Sequence, residues 1–460
     1  MNIAPLASSA PTGPSTSMTA LLATAPLLLR RRGALADILP VIAFTAATAI
    51  IATVVGGAAA FAARTPSGET PMTGEASIMR FLLIFAVFAS VLLVPSAVGL
   101  GGSAARLSLA RREQDLATMR LVGGTGAQVG SVAVLDVAAQ SLLGAVFGLG
   151  AHLAVTPALA RLDFGITPFT VAELLLPWWA YPLLVVAMVL IAAGSAVVSL
   201  AGVVLSPLGV ARDSRVVRLS IVRLVIWALL IAGFMIFMNM GGMLLGSVGV
   251  AIMILFIGAI VAGINVVGPF IVWVTALVLA KIAPTPSLLV GARCLAGDPR
   301  AGWRAVSGIT FALVIAGFLT VIATLGEASS PEDAMMFTAM TTGGLLTLGI
   351  AAVLAAVSTG VVQTVRVIDQ APRLRAQHIA GAEVGQLHRA RLAEIAVPVG
   401  LSSIIATGTA LLVLTTVFGA PSDPTMAVQY LACVLGAYAL LILSVLVGSP
   451  LVKRYATRAA

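Results

Sequence analysis

The chain has 460 residues, 60% of them hydrophobic and 9% charged, with a mean hydropathy of +1.11. Soluble domains carry about 25% charged residues, so a chain this apolar cannot cover its own surface in water and reads as an all-α polytopic membrane protein. The formal net charge of +9 belongs with basic cytoplasmic loops and gives no ground for nucleic-acid binding.

Residues 1–26 carry no charge and are rich in Ser, Thr, Pro and Ala; Arg30, Arg31 and Arg32 follow a short apolar run. A secretory signal places its positive charge before the apolar stretch. Residues 1–34 therefore read as a tail and an interfacial helix, not a cleaved signal. Beyond them, a membrane helix needs about 20 mostly apolar residues. Ten runs qualify: 38–63, 81–105, 131–156, 179–205, 219–239, 244–268, 305–325, 338–364, 392–418 and 428–451. The stretch 244–281 is open to two readings: one span followed by an interfacial helix, "PFIVWVTALVLAKI", or two spans.

Positive charge chooses between them. Cytoplasmic loops collect Lys and Arg, and ten spans with both termini inside leave just Arg64, Arg80 and Arg161 of the 26 Lys and Arg outside. Eleven spans would expose the basic loops 281–304 and 366–391. The outer loops of the ten-span arrangement are acidic, with Glu69, Glu75, Asp163, Glu173, Glu327, Glu332, Asp333 and Asp423.

The sequence also echoes itself. "MRLVGGTGAQVGSVAVLD" (119–136) aligns with "QHIAGAEVGQLHRARLAE" (377–394) at an offset of 258, pairing Gly123 with Gly381, Gln128 with Gln386 and Asp136 with Glu394. The same offset lays span 81–105 on 339–363. The expected layout is two four-helix halves, 35–215 and 298–460, joined by residues 216–297, which hold two linking helices and an interfacial segment. The halves share one orientation, a parallel repeat.

Between two spans of the first half lies "LARREQDLATMRLVGGTGAQVG". Leu109, Leu116, Met119 and Val122 recur at helical spacing, with Arg111, Arg112, Glu113 and Asp115 on other faces. "GGTG" then breaks the helix. A charged amphipathic helix joined to two spans can dock on a soluble partner, or lie on anionic headgroups. Twin copies favour a two-fold partner.

The segment 110–150 resembles the hallmark stretch of FtsX-like (MacB-type) ABC transporter permeases. Arg112 and Glu113 fit its Arg-Glu; Arg120 to Thr125 fit its core, with Gly124 where Ala is usual; Gln128 and Asp136 fit the rest. "SPLGVARDSR" (206–215) and "DPRAGWR" (298–304) resemble segments bounding the two halves of ten-span members. The second copy, "APRLRAQHIAGAE", lacks the Arg-Glu. The resemblance implies a permease subunit in the cell membrane whose cytoplasmic segments engage a separate ATP-binding subunit, a homodimer that holds ATP and Mg; this chain needs no cofactor of its own and is not an enzyme. The contact residues it implies are Arg111, Arg112, Glu113, Leu116, Met119, Arg120, Gly123 and Gly124 in the first copy. In the second they are Arg375, His378, Gly381, Ala382 and Glu383. Neither of the two lysines, Lys281 and Lys453, sits in a Gly-x-x-x-x-Gly-Lys-Ser/Thr phosphate loop, which agrees with an ATPase on another chain. The best-known members carry a large external domain, whereas the corresponding loops here, 64–80 and 326–337, are short. That favours a hydrophobic or amphiphilic substrate entering from the bilayer (a lipid, lipopeptide or peptide antibiotic). Membrane lipids and a small membrane or extracellular accessory protein complete the expected partners.

Asp136 and Glu394 are acids about two turns into their spans. A carboxylate at mid-membrane costs roughly 2.5–3.5 kcal/mol. They are either a proton or cation site or structural acids bonded to the neighbouring arginines or turn amides, and their shallow position favours the second. His152 reads as an outer interface residue, and Trp178, Trp179 and Tyr181 as an aromatic belt. Cys294 and Cys433, with His152, His378 and His388, form no metal-ligand spacing. An ion-coupled secondary transporter using Asp136 and Glu394, and a non-transporting mechanotransmission regulator, are the competing functions.

Overall fold

The computed structural model describes residues 34–65, 75–204 apart from 122 and 124, 221–241, 247–304 and 330–418, with isolated positions at 306, 310, 313–314, 428, 431–432, 435–436 and 439. Among the described residues the regular structure is helical throughout. In chain order the helices are α1 (Ala34–Arg64), α2 (Glu75–Leu121), α3 (Gly126–Leu159), α4 (Val171–Leu174), α5 (Ala180–Val204) and α6 (Ile221–Asn239). They continue with α7 (Ser247–Ile282), α8 (Pro286–Gly297), α9 (Pro299–Arg304), α10 (Pro331–Asp369), α11 (Ala371–Ile379) and α12 (Val384–Phe418).

Eight stretches are long and apolar enough to cross a membrane: Ile38–Arg64, Leu82–Leu109, Gly126–Leu159, Ala180–Leu200, Ile221–Asn239, Leu255–Ile282, Pro331–Thr364 and Gly385–Leu412. Seven of them coincide with expected spans, and Leu255–Ile282 overlaps the second half of the expected 244–268 and extends beyond it. The expected spans 305–325 and 428–451 fall largely outside the described residues. Helix is the form such sequences take because lipid offers no partner for a backbone N–H or C=O, and a helix satisfies both internally.

One expectation is corrected. "PFIVWVTALVLAKI" is not an interfacial helix; it is the second half of α7, which runs unbroken through Pro269. At 1.5 Å per residue its 36 residues reach about 54 Å. A helix without a break cannot turn back, so the stretch makes one crossing. The amphipathic segment is instead α8, which turns Gly291, Ala292 and Leu295 inward and leaves Leu289, Val290 and Arg293 exposed.

Side-chain contacts fix the helix directions. Gly144 lies on Phe44, Gly148 on Thr45 and Thr48, and His152 on Thr53, so α1 and α3 run parallel. Ser141 donates to the Met188 carbonyl at 3.2 Å while His152 faces Tyr181, so α5 runs against α3. Trp227 Nε1 donates to the Ile260 carbonyl at 2.9 Å and Phe234 meets Phe256, so α6 and α7 are antiparallel. The glycines permit these close approaches, as small residues do between membrane helices.

α2 and α10 lie side by side and run the same way. Their N-terminal ends share an apolar cluster through Met79, Leu82 and Ala339; farther along, Leu93, Ala97 and Leu100 share a second cluster with Ala351, Leu354 and Val361. The helix boundaries also recur at one spacing. Leu121 and Ile379 end helices, Gly123 and Gly381 turn the chain, and Gly126 and Val384 begin helices, each pair 258 residues apart. Because α2 and α10 are parallel, both turns emerge on the same membrane face.

Candidate functional site

The first turn is built by α2, which continues out of its span without a break to Leu121. Leu107 and Leu109 are buried, Leu116 packs against the core, Met119 is half-buried and Leu121 is 87% exposed. Gly123 has φ +104°, a left-handed conformation that costs a residue with a Cβ and is natural for glycine. Thr125 then caps α3. The Gln128 N–H donates to Thr125 Oγ1 at 3.3 Å and the Thr125 N–H donates to Gln128 Oε1 at 3.0 Å, a capping box. Gln128, read from the sequence as part of a motif, therefore holds the turn.

Asp136 is bonded on both oxygens. Arg112 reaches Oδ1 at 2.9 Å, and Gln140 Nε2 donates to Oδ2 at 2.7 Å. The pair ties α2 to α3 just inside the turn, with Arg112 and Asp136 21% and 10% exposed. Arg111, Glu113 and Arg120 also belong to α2, but their side chains lie outside the described residues, as does Gly124 altogether.

In the second turn α10 ends at Asp369, the chain bends at Gln370, and α11 carries it to Ile379. The close is a Schellman motif: the Gly381 N–H donates to the His378 carbonyl and the Ala382 N–H to the Gln377 carbonyl, both at 3.0 Å, with Gly381 at φ +98°. Ala382 packs on Val367, Leu374 and Leu387. His378 Nδ1 sits 3.0 Å from the Ala382 carbonyl, closing the turn from the side chain. Arg375 is half-buried, Glu383 is exposed, and Ile379 is 76% exposed, matching Leu121.

Gln370 stands 258 residues after Arg112, and Glu394 the same distance after Asp136. Gln370 Nε2 donates to Glu394 Oε1 at 3.4 Å. An amide thus faces the carboxylate where the first half has a guanidinium. Glu394 is buried, as is its neighbour Arg391, which donates to the Gln363 carbonyl at 3.4 Å. Sequence reasoning missed Leu121, Ile379 and Gln370. The offset of 258 would have found Gln370 once Arg112 was singled out.

On the opposite face, Arg64 at the end of α1 grips the connector between α3 and α5. Its Nε and Nη2 donate to the two Glu173 oxygens at 2.8 and 2.7 Å, its Nη1 to the Thr167 carbonyl at 2.6 Å and its Nη2 to the Pro168 carbonyl at 3.0 Å. Arg64, then the Thr170 N–H and hydroxyl, hold the Glu173 carboxyl down from 4.5 to about 2. Folding lowers this pKa, so the contribution is whole above about pH 4.5 and fades as the pH falls toward 2. Thermal unfolding at pH 7 and pH 3 checks this. Glu173→Gln should reduce the stability lost between the two pH values, and an unchanged loss would remove Glu173 from the acid response. The effect is modest, because water screens an exposed pair.

His152 corrects another expectation. It is 1% exposed rather than interfacial, with Nδ1 3.1 Å from Thr53 Oγ1. Trp178 and Trp179 are exposed, whereas Tyr181, expected in the same belt, is half-buried against His152. No cluster of three or more His, Cys, Asp or Glu fit to hold a metal occurs among the described residues.

The comparison with protein families places residues 87–205, from within α2 through α3 and the connector to just past the end of α5, in a match to the FtsX-like permease C-terminal family. A search of curated proteins finds no match.

Proposed function

Residues 87–205 are an FtsX-like permease segment, and we propose on that premise that the chain is the membrane subunit of an ABC transporter. Its two cytoplasmic turns contact a pair of identical ATP-binding subunits. ATP hydrolysis there drives export or membrane extraction of a hydrophobic or amphiphilic molecule, with both chain termini in the cytoplasm and the spans in the cell membrane.

The observation that carries this reading is the twinning of the turns. Each ends a helix on an exposed apolar residue, Leu121 or Ile379, followed by a left-handed glycine. A two-fold partner can engage both alike, and a lipid surface does not require them to match. α2 and α10 then run from those turns through the membrane side by side, a rigid path for motion. The ion-coupled alternative needs a carboxylate able to exchange its ligand, and Asp136 already has both oxygens engaged.

The test is affinity capture of the tagged chain from its native membrane in mild detergent, with mass spectrometry of the proteins that co-purify. An ATP-binding subunit should accompany the wild type and be lost from a Glu113→Lys, Arg120→Glu double variant that still elutes as a single species. Capture of no ATPase with the wild type would sink the reading.

A further inference from the structure

We propose that the outer connector, residues 160–179, is a gate leaf: it rides on α1 and closes against α10 over the seam between the two halves. Its opening stands on geometry alone; its use by a substrate rests on the permease reading.

Two of its edges are held unequally. Toward α1, the Arg64 guanidinium makes a bidentate ion pair with Glu173, donates to two connector carbonyls and stacks 4.0 Å over the Phe169 ring. Charge-assisted bidentate bonds are about twice as strong as neutral ones, and the cation–π contact adds to them. Toward α10 the polar contact is a neutral one: Thr342 Oγ1 donates to the Asp163 carbonyl at 2.6 Å. Beside it the chains simply touch. Gly165, at φ +68°, lies so close that a Cβ there would sit 2.8 Å from the Met335 carbonyl oxygen. Even after solvent screening weakens the exposed pair, the α1 edge has more and stronger bonds. The edge that parts is the one on α10.

The residues underneath make the parting consequential. Phe61, Phe164 and Phe169 meet edge to face, with centroids 5.0 to 5.9 Å apart, and cover Ala339, which is fully buried. Ala339 belongs to α10, and Met79 and Leu82 of α2 share its cluster. The leaf therefore seals the outer end of the junction between the two parallel helices that carry the cytoplasmic turns. Movement of α10 at its inner end reaches this seal directly, because α10 is one helix from Pro331 to Asp369.

The experiment reads the seal. In full-length chain with Cys294 and Cys433 changed to Ser, Ala339→Cys is labelled on intact cells with a membrane-impermeant maleimide. Thr342→Val should speed labelling by roughly five- to tenfold, the factor that one neutral hydrogen bond is worth. Glu173→Gln should change the rate by less than about twofold, since it loosens an exposed pair on the edge that does not part. Labelling indifferent to the valine overturns the leaf. Faster labelling in Glu173→Gln than in Thr342→Val also overturns it, because the connector then leaves α1. Capture of the ATP-binding subunit is scored on the same membranes. A leaf that responds without that partner removes the permease reading alone; a retained partner with unresponsive labelling removes the leaf alone.

Discussion

Arg112→Leu should destabilise the protein by about 2–4 kcal/mol, while Asp136→Asn costs about 1 kcal/mol. The asymmetry comes from side-chain length and depth. Asp136 is 10% exposed and short, so without Arg112 its carboxylate stays where it is, keeping the Gln140 amide on Oδ2 and losing the Arg112 guanidinium from Oδ1. Arg112 is long and 21% exposed, and without Asp136 its head reaches water along its own methylene stem. Removing one member of a poorly solvated pair leaves the other uncompensated, whereas removing both is often close to neutral. Arg112→Leu with Asp136→Leu should therefore recover most of what the single arginine change loses. Thermal unfolding of the purified chain in one detergent, run as a double-mutant cycle, measures this. Equal losses from the two single changes, or a double variant as unstable as Arg112→Leu, would show that the pair is not the strap of the first turn.

The second large effect lies where α1 crosses α3. Gly148→Ala would place a Cβ 2.6 Å from the Thr45 carbonyl oxygen and 2.7 Å from Thr48 Cβ, and Gly144→Ala would drive one into Phe44 Cβ. Backbone and Cβ atoms cannot rotate aside, so the helices must separate. Overpacking of this kind costs about 1–3 kcal/mol per site, and the two sites share one interface, so the double variant should lose most of its folded yield. Gly150→Ala is the control on the same helix. Nothing lies within 4 Å of its Cβ, and alanine favours the helix over glycine by about 1 kcal/mol, so that change should be neutral or stabilising. Size-exclusion profiles of fluorescently tagged variants separate the cases. A well-folded Gly144→Ala, Gly148→Ala chain would mean that α1 and α3 do not meet at these residues.

Much of the candidate site was legible from local chemistry. The charged segment after Leu109, the glycine break and the matching glycine at 381 were all readable, because a left-handed turn demands glycine whatever surrounds it. Gln128 was visible as a motif residue, and its capping role follows from Ser/Thr-x-x-Gln spacing. The second turn was harder. Its Schellman motif depends on backbone geometry around His378 and Ala382, and Ala382 is fixed by contacts with Val367, Leu374 and Leu387. The misreading of 269–282 has a similar root. Pro269 after Gly268 looks like a boundary, yet Gly268 admits the Trp303 ring, Trp303 Nε1 donates to Asn265 at 3.2 Å, and α7 continues.

By itself the sequence determined the membrane class, the positions of most of the described spans, and the spacing of 258 between two turns. Each rests on hydropathy, charge or backbone preference, which act over a few residues and need no neighbour. The tertiary structure decided the rest: that α2 pairs with α10, that Arg112 is the neighbouring arginine that holds Asp136, that His152 is buried, and that the connector 160–179 binds α1 by charge and α10 by a neutral hydrogen bond and close contact. Hydropathy is silent on these points for a physical reason. Lipid is as apolar as leucine, so a helix side facing a partner and one facing the bilayer carry the same residues. The difference between them lies in shape and in a few polar atoms, and those acquire meaning when the helices meet.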